Sequence, residues 1–227
     1  MIDWFGPVLS EYYAGSEGGA GFVISSEEWL KKPGSVGKRP ALLGSKILDE
    51  QGNECPPGVP GQIYHQLPPG GGFTYYKDEA KTQKSRVGDY FTLGDMGYFD
   101  EDGYLFLTGR DAETIISGGV NIYPQEIEDA LALHPDVLDV AVIGVPDEEM
   151  GESVKAVVQP APGAEPGPEL AQRLRDFLRE RIAHYKVPRS VDFADELPRT
   201  PTGKLVKGKL REQYVAEQHI GGFQPPK

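Results

Sequence analysis

The stretch Gly109-Arg110-Asp111-Ala112-Glu113-Thr114-Ile115-Ile116-Ser117-Gly118-Gly119-Val120-Asn121-Ile122-Tyr123-Pro124 separates two textures in this 227-residue chain. Upstream, between residues 36 and 108, apolar runs are broken by Asp49-Glu50-Gln51-Gly52-Asn53, Pro56-Pro57-Gly58, Pro68 to Gly72 and Asp100-Glu101-Asp102-Gly103. Turn signals at that spacing predict short strands in a small sheet or partial barrel. Further upstream, residues 1–35 read as a buried strand and loop from Val8 to Tyr13, then a Gly-rich turn from Gly15 to Gly21. Downstream the periods change. Thr114-Ile115-Ile116 predicts a short strand, and Pro124 opens a helix whose Ile127, Ala130 and Leu131 share one face. Val137 to Val145 and Val154 to Gln159 predict strands, with a Pro- and Gly-rich surface loop from Pro160 to Pro168. Glu169 to His184 predicts a helix with Leu170, Leu174, Phe177, Leu178 and Ile182 as its core stripe. The expected class is α+β, a β-rich part followed by a compact α+β part, with a boundary near Gly109 to Ala112.

Composition narrows the function classes. Lys and Arg number 23 against 35 Asp and Glu, a formal net charge of -12. That balance disfavours nucleic acid as the main partner. No apolar run approaches membrane-spanning length, so no integral membrane segment is expected. The single Cys55 cannot close an internal disulfide and fits a reducing compartment, so the expected localisation is cytoplasmic. Against this acidic background, His184 to Arg211 carries Lys186, Arg189, Arg199, Lys204, Lys207, Lys209 and Arg211 opposite only Asp192, Asp195 and Glu196. Within it, Pro198-Arg199-Thr200-Pro201-Thr202-Gly203-Lys204 sets one lysine on a Pro/Gly-stiffened loop. Two readings fit: a site for a small anion, or a solvated turn feeding an amphipathic terminal helix.

Three further segments carry chemistry-bearing residues. Tyr13-Ala14-Gly15-Ser16-Glu17 could offer backbone N–H groups and the Ser16 hydroxyl to a phosphate, with Glu17 for an accompanying Mg²⁺, or be an ordinary turn. Gly94-Asp95 followed by Arg110 could hold a ribose, or be a strand end plus a surface arginine. Gly118-Gly119 permits close approach of a narrow ligand, or is a tight connection into the helix at Pro124.

Taken in this order, Tyr13 to Glu17, Gly94-Asp95, Gly109-Arg110, Ser117 to Glu128 and Pro198 to Lys204 resemble the adenylate-forming enzymes. Gly144-Val145-Pro146-Asp147, Gly151-Glu152 and Tyr185-Lys186-Val187-Pro188 are similar to the same family. The wording of Ile116 to Pro124 is most similar to the fatty-acid-CoA ligase branch. The resemblance implies an ATP-dependent acyl-CoA synthetase that first adenylates a carboxylate and then forms a CoA thioester. It implies that Tyr13 stacks on adenine, Ser16 contacts phosphate, Glu17 ligates Mg²⁺, and Asp95 and Arg110 hold the ribose. Gly118 and Gly119 would line the channel for CoA, Ala112 would mark the hinge, and Lys204 would bridge the carboxylate and the α-phosphate. It further implies that residues 1–109 are the end of the large AMP-binding domain and 110–227 a mobile lid domain. The family's Ser/Thr/Gly-rich phosphate loop is not found in these residues, nor is most of an acyl pocket. The chain therefore reads as a C-terminal fragment, inactive or nearly so alone, whose partner is the missing N-terminal part; a homodimer is a further possible partner. Alternatives are an aryl- or short-acid CoA ligase fragment and a non-catalytic nucleotide- or partner-binding module.

Overall fold

The computed structural model describes residues 1–17, 21–38 and 44–221. The chain forms two compact units, Met1–Ala112 and Glu113–Lys227. In the first unit, in chain order, lie α1 (Ile2–Phe5), β1 (Ser10–Tyr13), β2 (Phe22–Ser25), α2 (Ser26–Lys31), β3 (Ser35–Gly37), β4 (Ser45–Leu48), β5 (Gly61–Gln66), α3 (Glu79–Lys84), β6 (Arg86–Val87), β7 (Tyr90–Phe99) and β8 (Leu105–Arg110). β1 and β2 make an antiparallel ribbon, and a six-stranded sheet runs β3-β8-β7-β5-β4 with β6 on β7. Among the described residues that sheet is open. Phe22, Val36, Ile47, Ile63 and Leu105 fill its core.

A 3₁₀ turn at Asp111–Glu113 spans the division, and the second unit continues with β9 (Ile115–Ser117), β10 (Val120–Ile122), α4 (Pro124–Leu131), β11 (Val137–Asp147), β12 (Gly151–Pro160) and α5 (Pro168–Arg179). A second 3₁₀ turn at His184–Lys186, β13 (Ser190–Phe193) and α6 (Lys207–Gly221) complete it. Its five-stranded sheet runs β10-β9-β12-β11, with β13 parallel to β12. The β11–β12 hairpin has both faces covered, which explains its near-continuous apolar sequence. One face packs Val140, Val142, Val154, Ala156 and Val158 against α4 and α5 through Ile127, Leu131, Leu170, Leu174 and Leu178. The other packs Ala141, Ile143, Val145 and Val157 against Leu197 and Leu210 of α6.

Two sequence expectations are corrected. Val8 to Tyr13 is not a buried strand: Val8 is 71% exposed, and in β1 only Tyr13 is partly covered. Among the described residues β1 pairs with β2 alone in a two-stranded ribbon, and three of its four residues are exposed, so its period-2 pattern meets no covering layer there. The helix at Glu169 to His184 starts at Pro168 and stops at Arg179. Extended backbone at Ala183 (ψ 138) precedes the 3₁₀ turn, and Ile182 reaches the core from a turn rather than a helix face. Smaller differences are β9, displaced by one residue, and β7, ten residues long where short strands were expected. Of the Gly-rich turn at Gly15 to Gly21, residues 18–20 lie outside the described residues.

Candidate functional site

The first unit brings three of the expected residues, Tyr13, Asp95 and Arg110, into contact. Register places Asp95 directly opposite Arg110 across β7 and β8. Arg110 Nε lies 3.1 Å from Asp95 Oδ1, and the Tyr13 hydroxyl donates to Asp95 Oδ2 at 2.5 Å. Asp95 is buried while Arg110 is exposed, so the pair sits at a surface with its carboxylate recessed. Burial, then the hydrogen bond and charge of Asp95, hold the Tyr13 hydroxyl well above its ordinary pKa, with Arg110 opposing. Tyr13 is thus a neutral donor at every working pH. Its ring neighbours Phe22 and His65 at centroid distances of 6.0 and 6.4 Å. A carboxylate offers about four acceptor sites, so the two contacts to Asp95 leave capacity for a ligand's hydroxyls.

Glu17 lies on the following turn, exposed, and accepts from the Tyr75 hydroxyl at 3.2 Å. Burial and the Glu17 charge raise the pKa of Tyr75. Sequence reasoning missed Tyr75: one tyrosine in Phe73-Thr74-Tyr75-Tyr76 carries no pattern that would mark it. Ser16 is exposed beside Glu17. Among the described residues no group of three His, Cys, Asp or Glu could hold a metal alone. One carboxylate fits only an ion that arrives with phosphate oxygens, as Mg²⁺ usually does.

The second unit holds the glycine pair and the lysine loop. Ser117 and Val120 face each other across β9 and β10, with Gly118 (φ 58) and Gly119 (φ 79) as a two-residue loop. Two left-handed residues in such a loop suit the strand twist, which is why glycine occupies both. Gly118 N–H also donates to Met150 O at 2.8 Å, at the β11–β12 turn. Ala112 sits in the 3₁₀ turn at Asp111–Glu113, exposed.

Pro198 to Val206 folds as a hairpin braced by its own groups. Thr200 N–H donates to Lys204 O, Gly203 N–H to Thr200 O and Val206 N–H to Pro198 O, each at 2.8 Å. Thr200 Oγ1 accepts from Lys204 N–H at 3.1 Å, and Arg199 donates to Gly203 O at 2.6 Å. Arg199 also pairs with Asp139 near the start of β11. Lys204 is exposed, and among the described residues nothing accepts from its ammonium. The glycine turn is tied to one end of the β11–β12 ladder and the lysine hairpin to the other. Eight residue steps along β11 from Asp139 to Asp147 separate these ties by roughly 25 Å. The structure therefore brings Tyr13, Asp95 and Arg110 together, places Glu17 on the same unit, and keeps Lys204 away from Gly118 and Gly119.

A third arrangement in this unit was not anticipated. Lys207, at the start of α6, lies 2.9 Å from both Glu128 and Glu113. Glu128 is buried on α4 and accepts from Val142 N–H at 2.7 Å through its other oxygen. Burial raises the Glu128 pKa despite the lysine beside it. The signal was present as an acid within the apolar face of a helix, next to Ile127.

Residues 126–204 match the AMP-binding enzyme C-terminal domain. Acyl-coenzyme A synthetase ACSM4, mitochondrial, of Homo sapiens is 40% identical over 212 residues, 90% of this chain and 36% of that protein. The 4-hydroxybutyrate--CoA ligase 1 of Metallosphaera sedula is 37% identical over 223 residues, 96% of this chain and 39% of that protein. Among solved structures, the amide bond synthetase McbA from Marinactinospora thermotolerans superposes with a TM-score of 0.82 at 34% identity, covering 93% of this chain and 43% of that one. The chain is similar to adenylate-forming enzymes over nearly its whole length, carries the AMP-binding enzyme C-terminal domain at residues 126–204, and spans 36 to 39% of the length of these two curated relatives.

Proposed function

We propose that this chain forms the C-terminal part of an ATP-dependent acyl-CoA synthetase. The observation that carries the reading is the exposed Lys204 on a braced hairpin, its ammonium without a partner among the described residues, in a chain that also joins Tyr13, Asp95 and Arg110. In the first step a carboxylate oxygen attacks the α-phosphorus of ATP, and the bond to the bridging oxygen breaks to release pyrophosphate. Two anions must meet, and the Lys204 ammonium offsets their repulsion and the charge that develops. Asp95 accepts from the ribose hydroxyls, Arg110 donates beside it, Tyr13 gives adenine a flat apolar face, and Ser16 donates to phosphate. Glu17 would hold Mg²⁺ together with the phosphate oxygens, where the ion would offset phosphate charge. In the second step the CoA thiol, losing its proton, attacks the acyl carbon and AMP leaves. Gly118 and Gly119, which carry no side chains, line the path of its narrow arm.

In this reading residues 1–109 complete the large AMP-binding domain, 110–227 form the lid, and the chain pivots near Ala112 between the two steps. The separation of the glycine turn from Lys204 supports alternate presentation. Fatty acids are the proposed substrates, in the cytoplasm. The 4-hydroxybutyrate ligase among the relatives favours a short acid as the second reading. The exposed apolar side chains of Trp4, Val8, Tyr12, Trp29 and Leu30 support a missing partner, the rest of the same enzyme. The test is a panel of carboxylic acids given to the 227-residue chain and to the longer enzyme that contains it. Thioester formation by the longer enzyme alone, best with fatty acids, is expected. Thioester formation by the 227-residue chain itself would overturn the fragment reading.

A further inference from the structure

The Glu113–Lys207–Glu128 arrangement stands apart from every residue given a role above, yet it sits at two informative places. Glu113 directly follows the point where the chain divides, in the 3₁₀ turn that contains Ala112. Lys207 lies three residues beyond Lys204, where the hairpin passes into α6. One ammonium, largely buried, therefore joins the entry of the second unit to the exit of the lysine hairpin. Glu128 anchors that ammonium to the sheet, because its second oxygen takes the Val142 N–H in the middle of β11. On the hairpin's other leg, Leu197 is buried and Arg199 pairs with Asp139. Both legs are pinned while the ammonium of Lys204, between them, has no partner among the described residues.

We propose that Lys207 and Glu128 are positioning residues for Lys204: they fix the C-terminal leg of its hairpin, and through Glu113 they tie that leg to the segment where the unit begins. The proposal rests on Lys204 being the adenylation lysine, but its geometry does not. A buried ion pair adds little net stability compared with an apolar pair of the same size, so stability alone is a weak reason for this one. Holding a charged side chain on a loop within a fraction of an ångström of its working position is a stronger reason.

Amide hydrogen exchange on the 227-residue chain tests this. Removing Lys207 alone would strand a buried carboxylate and loosen the whole unit, so the informative variant is the pair Glu128→Gln with Lys207→Met. Gln keeps an acceptor for Val142, and Met keeps the stem volume. The expected result is exchange about tenfold or more faster at Thr200, Gly203 and Val206, with the β11–β12 ladder unchanged. Lys207→Arg, which keeps the charge, should exchange like the wild type. Unchanged hairpin protection in the double variant would overturn the proposal. So would hairpin and ladder loosening together, which would make the pair a support of the domain only, and so would an arginine variant as loose as the double one. None of these readouts involves ATP, so the acyl-CoA synthetase reading stands or falls separately, on thioester formation.

Discussion

At the scale of single residues, Glu128 offers the sharpest contest between two forces. Burial raises its pKa and Lys207 lowers it, with burial the larger. Among the described residues, Lys207 of α6, Glu113 of the 3₁₀ turn and the Val142 N–H of β11 face it as charged or polar groups. A folded-state pKa above the unfolded one means the folded state binds more proton just above the usual carboxylate range. That contribution to stability is full below the unfolded pKa and is lost as pH rises through the folded one. Glu128→Gln imitates the protonated form. The melting temperature of this variant relative to wild type should therefore rise between pH 4 and pH 7, read by circular dichroism. A relative fall over that interval would mean the lysine outweighs burial. The Glu128 carboxyl would then be held below its usual range.

At the scale of elements, Gly37 in β3 makes a firm prediction. Its φ is 95, and a Cβ there would meet the Val23 backbone oxygen at 2.0 Å. Gly37→Ala should destabilise the first unit by more than about 2 kcal/mol, measured by urea unfolding, because backbone must move. In the lysine hairpin, Thr200→Val removes the acceptor for Lys204 N–H. Adenylation by the longer enzyme should fall about tenfold. Thioester formation from a supplied acyl-adenylate should not change. Much of this level was legible in the sequence. Pro124 opens α4, and the stripe from Leu170 to Leu178 is buried in α5. Both signals are local, a fixed φ and a 3.6-residue period. β1 was misjudged because burial depends on a second layer, which a strand's own residues do not announce. The short helices α2 and α3, six residues each, escaped because two turns are too few to show a period. His65 was equally invisible: buried among Tyr13, Phe22 and Phe91, it is placed by β5 pairing with Ser45 of β4 and Phe91 of β7, both distant in the chain.

At the scale of the molecule, each unit carries its own core, and the second has both faces of its hairpin covered from within. Residues 113–227 should therefore fold alone, with a melting temperature within a few degrees of the matching transition in the whole chain. Loss of near-ultraviolet circular dichroism in that piece would show that its packing depends on the first unit. The site divides along the same line. Tyr13, Asp95 and Arg110 were legible as types in order along the chain, and register then placed two of them face to face. The role of Lys207 was not legible, since it follows Lys204 in a basic run and only folding brings Glu113 and Glu128 to it. No helix among the described residues is long and apolar enough to cross a membrane.

In the proposed function Lys204 serves the adenylation step of a longer acyl-CoA synthetase. ATP–pyrophosphate exchange by that longer enzyme, with and without Lys204→Ala, tests it most directly. Exchange should fall by at least about a hundredfold, while thioester formation from supplied acyl-adenylate persists. Exchange that survives the substitution, or a loss shared equally by both steps, would contradict it.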